Sequence, residues 1–146
     1  MNDHSILRVV SKFMIPFILL FALYVQFHGD YSPGGGFQAG VIFAAGVILY
    51  GIVMGLDKVQ EVLPFWIVQK LAALGVLLYA LTGVISLVMG FNYLDYSVFS
   101  PHHPEHGQHY GILIVELGVG ITVTAVMVAV YYAFASRALV HDSRSD

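Results

Sequence analysis

Charge is scarce in this chain. Of its 146 residues only 10% are Asp, Glu, Lys or Arg, against 58% hydrophobic, whereas soluble domains carry about 25% charged residues. There is no cysteine, which excludes disulfides, thiolate metal sites and iron-sulfur ligation. The net charge of -3 offers no basic face for nucleic acid. What is present is four apolar stretches, Val9 to Phe27, Phe37 to Leu56, Phe65 to Gly90 and Gly111 to Ala135, interrupted by charge only at Lys12, Lys70 and Glu116. Each holds about the 20 residues that a helix rising 1.5 Å per residue needs to cross a 30 Å hydrocarbon layer. The expectation is an all-α membrane protein, residues 1–146 forming a single integral membrane domain, with helices at about 5–27, 37–56, 65–90 and 111–135. The first segment does not read as a cleavable signal, because its run is long and Tyr24-Val25-Gln26-Phe27-His28 lacks an A-x-A-like site.

The loops orient these helices. If the spans alternate, all six basic residues fall on one side: Arg8, Lys12, Lys58, Lys70, Arg137 and Arg144. The loops from His28 to Gly36 and from Phe91 to Tyr110 hold Asp30, Asp95 and Glu105 but no Lys or Arg. The positive-inside tendency then makes both termini cytoplasmic, in a multi-pass protein of the cell membrane. Trp66, Tyr93, Tyr96, Tyr110, Tyr131 and Tyr132 stand near the expected boundaries, as interfacial aromatics do.

Asp3 or Ser5 can cap the first helix, and Gly29-Asp30-Tyr31-Ser32-Pro33 ends it. Pro16 falls inside the span and removes the hydrogen bond to the Lys12 carbonyl. A kink beside a semi-buried lysine is one consequence; a tolerated proline beside a lysine that snorkels to the interface is the other reading. The following turn, Ser32-Pro33-Gly34-Gly35-Gly36-Phe37-Gln38-Ala39-Gly40, opens into the second helix. Its glycines leave amide groups accessible at a helix amino terminus, where anions are favoured. No Gly-Lys-Ser/Thr follows, so it is not a phosphate loop. Gly36, Gly40 and Ala44 recur on one face, with Gly51 and Gly55 deeper in, a spacing that lets a neighbouring helix approach closely.

The run His28-Gly29-Asp30-Tyr31-Ser32-Pro33-Gly34-Gly35-Gly36-Phe37-Gln38, with four spans and Glu116-Leu117-Gly118-Val119-Gly120 in the last, resembles the B subunit of the Mrp-type (Mnh-type) multi-subunit sodium/proton antiporter. The resemblance covers nearly the whole chain. The family pattern has Gly-Gly after the glutamine where this chain has Ala39-Gly40, a methyl group that is tolerable unless a partner backbone touches Ala39. The resemblance implies an accessory membrane subunit of a cation/proton antiporter rather than an enzyme, supporting assembly and lining part of an ion route. Its implied partners are other membrane subunits, the lipid bilayer, sodium ions and protons, with no cofactor and no nucleic acid. Related modules of complex I and of membrane-bound hydrogenases are the nearest alternatives, together with a purely structural scaffold.

One chain of this kind lacks a complete ion path. Lys70 and Glu116 each lie about five residues into their spans from opposite sides, roughly 8 Å deep, which leaves roughly 14 Å between them along the normal. Glu116 is the foremost ion-route candidate, because a carboxylate inside a span costs several kcal/mol unless protonated, hydrated or paired. Gln26, His28, Gln38 and Tyr110 stand at its level. Lys70, Lys12, Gln38 and His28 are the other route candidates, against snorkelling for the lysines. Pro33, Gly34, Gly35, Gly36, Phe37, Gln38 and Gly40 form the helix-packing motif.

The segment Pro101 to His109 holds His102, His103, His106 and His109 beside Glu105, donors suited to zinc, copper or nickel. Their spacing fits no rigid signature, and Pro101, Pro104 and Gly107 suggest an irregular external loop that gains charge as external pH falls. A haem-binding bundle would need histidines facing one another inside the membrane, whereas all seven lie at span ends or in loops. No nucleophile, base and orienting group are arranged as an enzyme would require.

Overall fold

A computed structural model describes residues 3–29, 35–99 and 104–142. Its elements in chain order are α1 (Asp3–Phe27), α2 (Gly36–Met54), α3 (Leu56–Val62), α4 (Phe65–Val88), a 3-10 turn (Tyr96–Phe99) and α5 (Pro104–Asp142). No strand occurs among the described residues. Four segments are long and apolar enough to cross a membrane, Ser5–Phe27, Gly36–Met54, Phe65–Val88 and Gly107–Ala138, so the all-α, four-span expectation holds. Four crossings bring the start of α1 and the end of α5 to one side, called here the terminus side; the other is the loop side.

The spans do not pack in chain order. α1 packs mainly on α2, α2 on α5, and α5 on α4, giving a row α1, α2, α5, α4. The sequence of α5 explains its central place. Gly118 and Gly120 are two residues apart, hence about 200° apart around a helix, and give α5 a small residue on each of two nearly opposite faces. Toward α4, a Cβ on Gly118 would lie 2.9 Å from the Gly75 carbonyl oxygen, and one on Gly75 would lie 2.6 Å from the Gly118 carbonyl oxygen. Toward α2, a Cβ on Gly40 would lie 2.7 Å from the Gly120 carbonyl oxygen. Both crossings are backbone against backbone, the geometry that small-xxx-small spacing permits. The Thr124 hydroxyl straddles the second, 2.8 Å from the Gly120 carbonyl and 3.1 Å from that of Gly40.

On the terminus side the row closes over an apolar core of Ala44, Val59, Val68, Ala125, Val128 and Tyr132. Val59 comes from α3, a short helix where the sequence suggested only a loop, and Asp57, Lys58 and Glu61 on the same helix are exposed. The Tyr132 hydroxyl donates to the Leu63 carbonyl at 2.8 Å, with the Val59 carbonyl at 3.5 Å. The Leu63 carbonyl lies just past the end of α3, where carbonyls lack a partner within the helix, while that of Val59 already accepts from the Leu63 N–H at 2.8 Å. Gly51 packs on Tyr131, as its spacing predicts. Gly55 does not pack: its φ is +100° and its Cβ position is open space, so it ends α2 instead of admitting a neighbour.

On the loop side the connection after α4 is folded back. Tyr93 covers Gly83, Tyr96 covers Gly111, and Ser86 Oγ lies 3.0 Å from the Asp95 carbonyl. Burial, with Tyr79 and Tyr93 adding, pushes the Tyr96 phenol above its ordinary range. α5 outruns its apolar stretch at both ends. Pro104 suits a first helical position, and Ser136-Arg137-Ala138 contains no helix breaker.

Candidate functional site

The α2–α5 crossing brings a carboxylate to the start of α2. Gly36, the first residue of α2, lies over the backbone of Glu116, where a Cβ would fall 2.7 Å from the Glu116 carbonyl carbon and closer still to its oxygen. The Glu116 side chain then runs between two more glycines. A Cβ on Gly29 would stand 2.8 Å from Oε1 and nearer to Oε2, and one on Gly35 would stand 3.3 Å from Cδ and nearer to Oε1. Gly29, Gly35 and Gly36 thus form a collar against Glu116. A side chain at Gly29 or Gly35 would collide with the carboxyl group, and one at Gly36 with the Glu116 backbone.

The collar is also electrostatically matched. Gly35 caps α2 and the first backbone bond of the helix runs from the Ala39 N–H to the Gly35 carbonyl at 3.0 Å. The amides ahead of Ala39 have no partner within the helix, and the helix dipole puts positive potential there. An anion in such a partly buried position gains up to about 2 kcal/mol. The group that the glycines accommodate is the chain's own Glu116 side chain. The close-packing reading of the glycine run is what these contacts display.

The other candidates lie around this point or away from it. Gln38 uses its side-chain oxygen to accept from the Gly35 N–H at 3.1 Å, holding the collar's middle glycine. His28 is exposed and stacks on Tyr24 at 4.1 Å, its Nδ1 3.1 Å from the Tyr24 carbonyl. Phe37 is exposed, and Gly40 meets Gly120 one turn below the carboxylate. Pro33 and Gly34 fall outside the described residues, as do His102 and His103. The side chain of His106 is likewise not described, and His109 is exposed on the first turns of α5. The described residues contain no group of three or more His, Cys, Asp or Glu that could hold a metal.

Both candidate lysines face outward. Lys70 is exposed, its ammonium 4.6 Å from the centre of the Trp66 ring, one turn nearer the terminus side. That is a snorkelling geometry with a cation–π contact. Lys12 is exposed as well, while its neighbour Ser11 is buried.

Of the residues expected at the level of Glu116, Gln26 is the buried one. Gln26 is 5% exposed, and its Oε1 would stand 2.6 Å from a Cβ on Gly120, one turn along α5 from Glu116. Its Nε2 is buried without a hydrogen-bond partner among the described residues, a state that costs about 1–3 kcal/mol. The signal in the sequence is modest: one amide inside an otherwise apolar half-span.

Residues 6–129 match a family described as "Domain related to MnhB subunit of Na+/H+ antiporter". Among curated proteins the chain is 35% identical over 134 residues to the "Putative antiporter subunit mnhB2" of Staphylococcus haemolyticus (strain JCSC1435), covering 90% of this chain and 94% of that one. It is 34% identical over 131 residues to the protein of the same name from Staphylococcus aureus (strain Newman), covering 88% and 92%.

Proposed function

The chain belongs to the family of domains related to the MnhB subunit of Na+/H+ antiporters, and on that premise we propose how its Glu116 carboxyl group is used. The chain is an accessory, multi-pass membrane subunit of a multi-subunit sodium/proton antiporter. Glu116 forms an external access point for protons or sodium ions, and other subunits of the complex complete the route. The terminus side is cytoplasmic, since it carries every Lys and Arg of the chain, and the collar around Glu116 therefore faces outside.

The observation that carries this reading is the seating of the Glu116 carboxyl group in the Gly29–Gly35–Gly36 collar at the amino end of α2. A carboxyl group held there lies near the aqueous boundary, within reach of a proton or a monovalent cation from that side. The single chain has no second inward-facing charge among its described residues with which to carry an ion onward. Transport thus belongs to the assembly. In proteoliposomes holding the complete complex, Glu116→Gln is expected to depress sodium/proton antiport while every subunit stays in the complex. Unchanged antiport would refute the role given to Glu116.

A further inference from the structure

Lys12 stands seven residues beyond Ser5, where the first span begins, and so about 10 Å inside it. It is exposed and has no acidic partner among the described residues. Snorkelling alone does not settle such a charge, because the way to the boundary along its own flank is taken by Arg8, one turn nearer the chain start and likewise exposed without an acidic partner among the described residues. Two cations four residues apart on a helix repel each other. An anion bridging them removes that repulsion and offsets the cost of a charge at hydrocarbon depth. The acids of α3, Asp57 and Glu61, do not serve, since α3 packs on α2 and α5.

The same flank leads to a cavity. Lys12 and Leu23 are eleven residues apart, close to three full turns, which puts them in line along α1 with about 16 Å between them. Leu23 is 45% exposed, at the lip of a half-open cavity of about 200 Å³. Its walls are almost entirely apolar and come from all four spans, with Ala22 from α1, Phe43 from α2, Leu71 from α4 and Ile121 from α5. An apolar hollow open sideways to the bilayer takes up what lies there, which is hydrocarbon. One leaflet contributes about 15 Å of acyl chain, so a chain whose phosphate rests on Arg8 and Lys12 ends its run at Leu23.

We propose that this flank of α1 binds one anionic phospholipid of the terminus-side leaflet. Its phosphate bridges Arg8 and Lys12, and the end of one acyl chain fills the cavity. Charge complementarity at one end and matched length at the other select this occupant. The site is independent of the role given to Glu116.

The test uses the complete complex in phosphatidylcholine vesicles. These carry a trace of either phosphatidylglycerol or phosphatidylcholine with a photoreactive diazirine at the end of one acyl chain, and the modified residues are read by peptide mass. Adducts on Leu23, Phe43 and Leu71 are expected to form about tenfold more from phosphatidylglycerol than from phosphatidylcholine, as attraction to two basic residues allows. Arg8→Gln combined with Lys12→Gln, both at exposed positions, is expected to abolish that preference. Phe17 and Phe21, exposed on the far side of the same helix, supply the internal comparison, and their labelling should ignore both head group and substitution. Cavity labelling without head-group preference, a preference that survives the double substitution, or a cavity left unlabelled because a partner's helix fills it would overturn the proposal.

Discussion

Lys70 and Glu116 lie at similar depths from opposite ends of neighbouring helices, yet they meet opposite fates. Lys70 turns outward and back along α4, its long stem reaching Trp66 near the boundary. Glu116 turns inward, with a stem too short to snorkel, and the glycines of the connecting turn close around it. Depth in the span is therefore a poor guide to function. What separates the two is the surface that faces them. The terminus-side half of the row is an interlocked apolar core with charge only on its outside, and the loop-side half is built from backbone, so that a carboxyl group fits between helices.

This contrast can be broken most forcefully at Gly36. Gly36→Ala puts a methyl group into the Glu116 backbone, where neither side is a flexible side chain that can yield. Overpacking of this kind costs about 1–3 kcal/mol or more. Co-purification of this chain with its partner subunits should fall severely, and an intact complex at normal yield would show that α2 and α5 do not cross as described. On the other half, Tyr132→Ala empties a core position and takes the hydroxyl away from the Leu63 carbonyl, for an expected loss of about 3–5 kcal/mol. Tyr132→Phe removes only the hydroxyl and should cost about 1 kcal/mol. Thermal stability of the purified complex distinguishes the two, and equal losses would mean that the hydroxyl, not the ring, holds α3 in place. The smallest effect is expected of Lys70→Gln. With its ammonium at the boundary, loss of the charge should leave antiport within about twofold, since surface cation–π contacts contribute about 0.5–1 kcal/mol. A collapse of transport would place Lys70 on the ion route after all.

Much of the fold is legible in the residues alone. Long apolar runs bounded by Gly29, Gly55 and Pro64 specify the spans, because a membrane leaves the backbone few alternatives to a helix. Pro16 sits inside α1 as the run length required. The order of packing is not legible, since any two glycine-bearing faces satisfy the same spacing rule; only the structure shows α5 between α2 and α4. The same ambiguity made Gly55 resemble a packing residue when it is a helix terminator. At the site, Glu116 stands out as a lone acid, and Pro33 to Gly40 stands out as a motif, but nothing in their separation of about 80 residues says that one encloses the other. Gln26 is legible only as an amide at the level of Glu116; its burial and its donor without a partner among the described residues come from the structure.

The most direct test is a paired comparison in one preparation: Glu116→Gln and Lys70→Gln complexes, reconstituted side by side, with sodium-driven proton movement and subunit content measured on the same vesicles. The account predicts that Glu116→Gln loses antiport by about tenfold or more with all subunits retained, while Lys70→Gln stays close to the native rate. Native antiport in Glu116→Gln, or an equal loss in both, would contradict it.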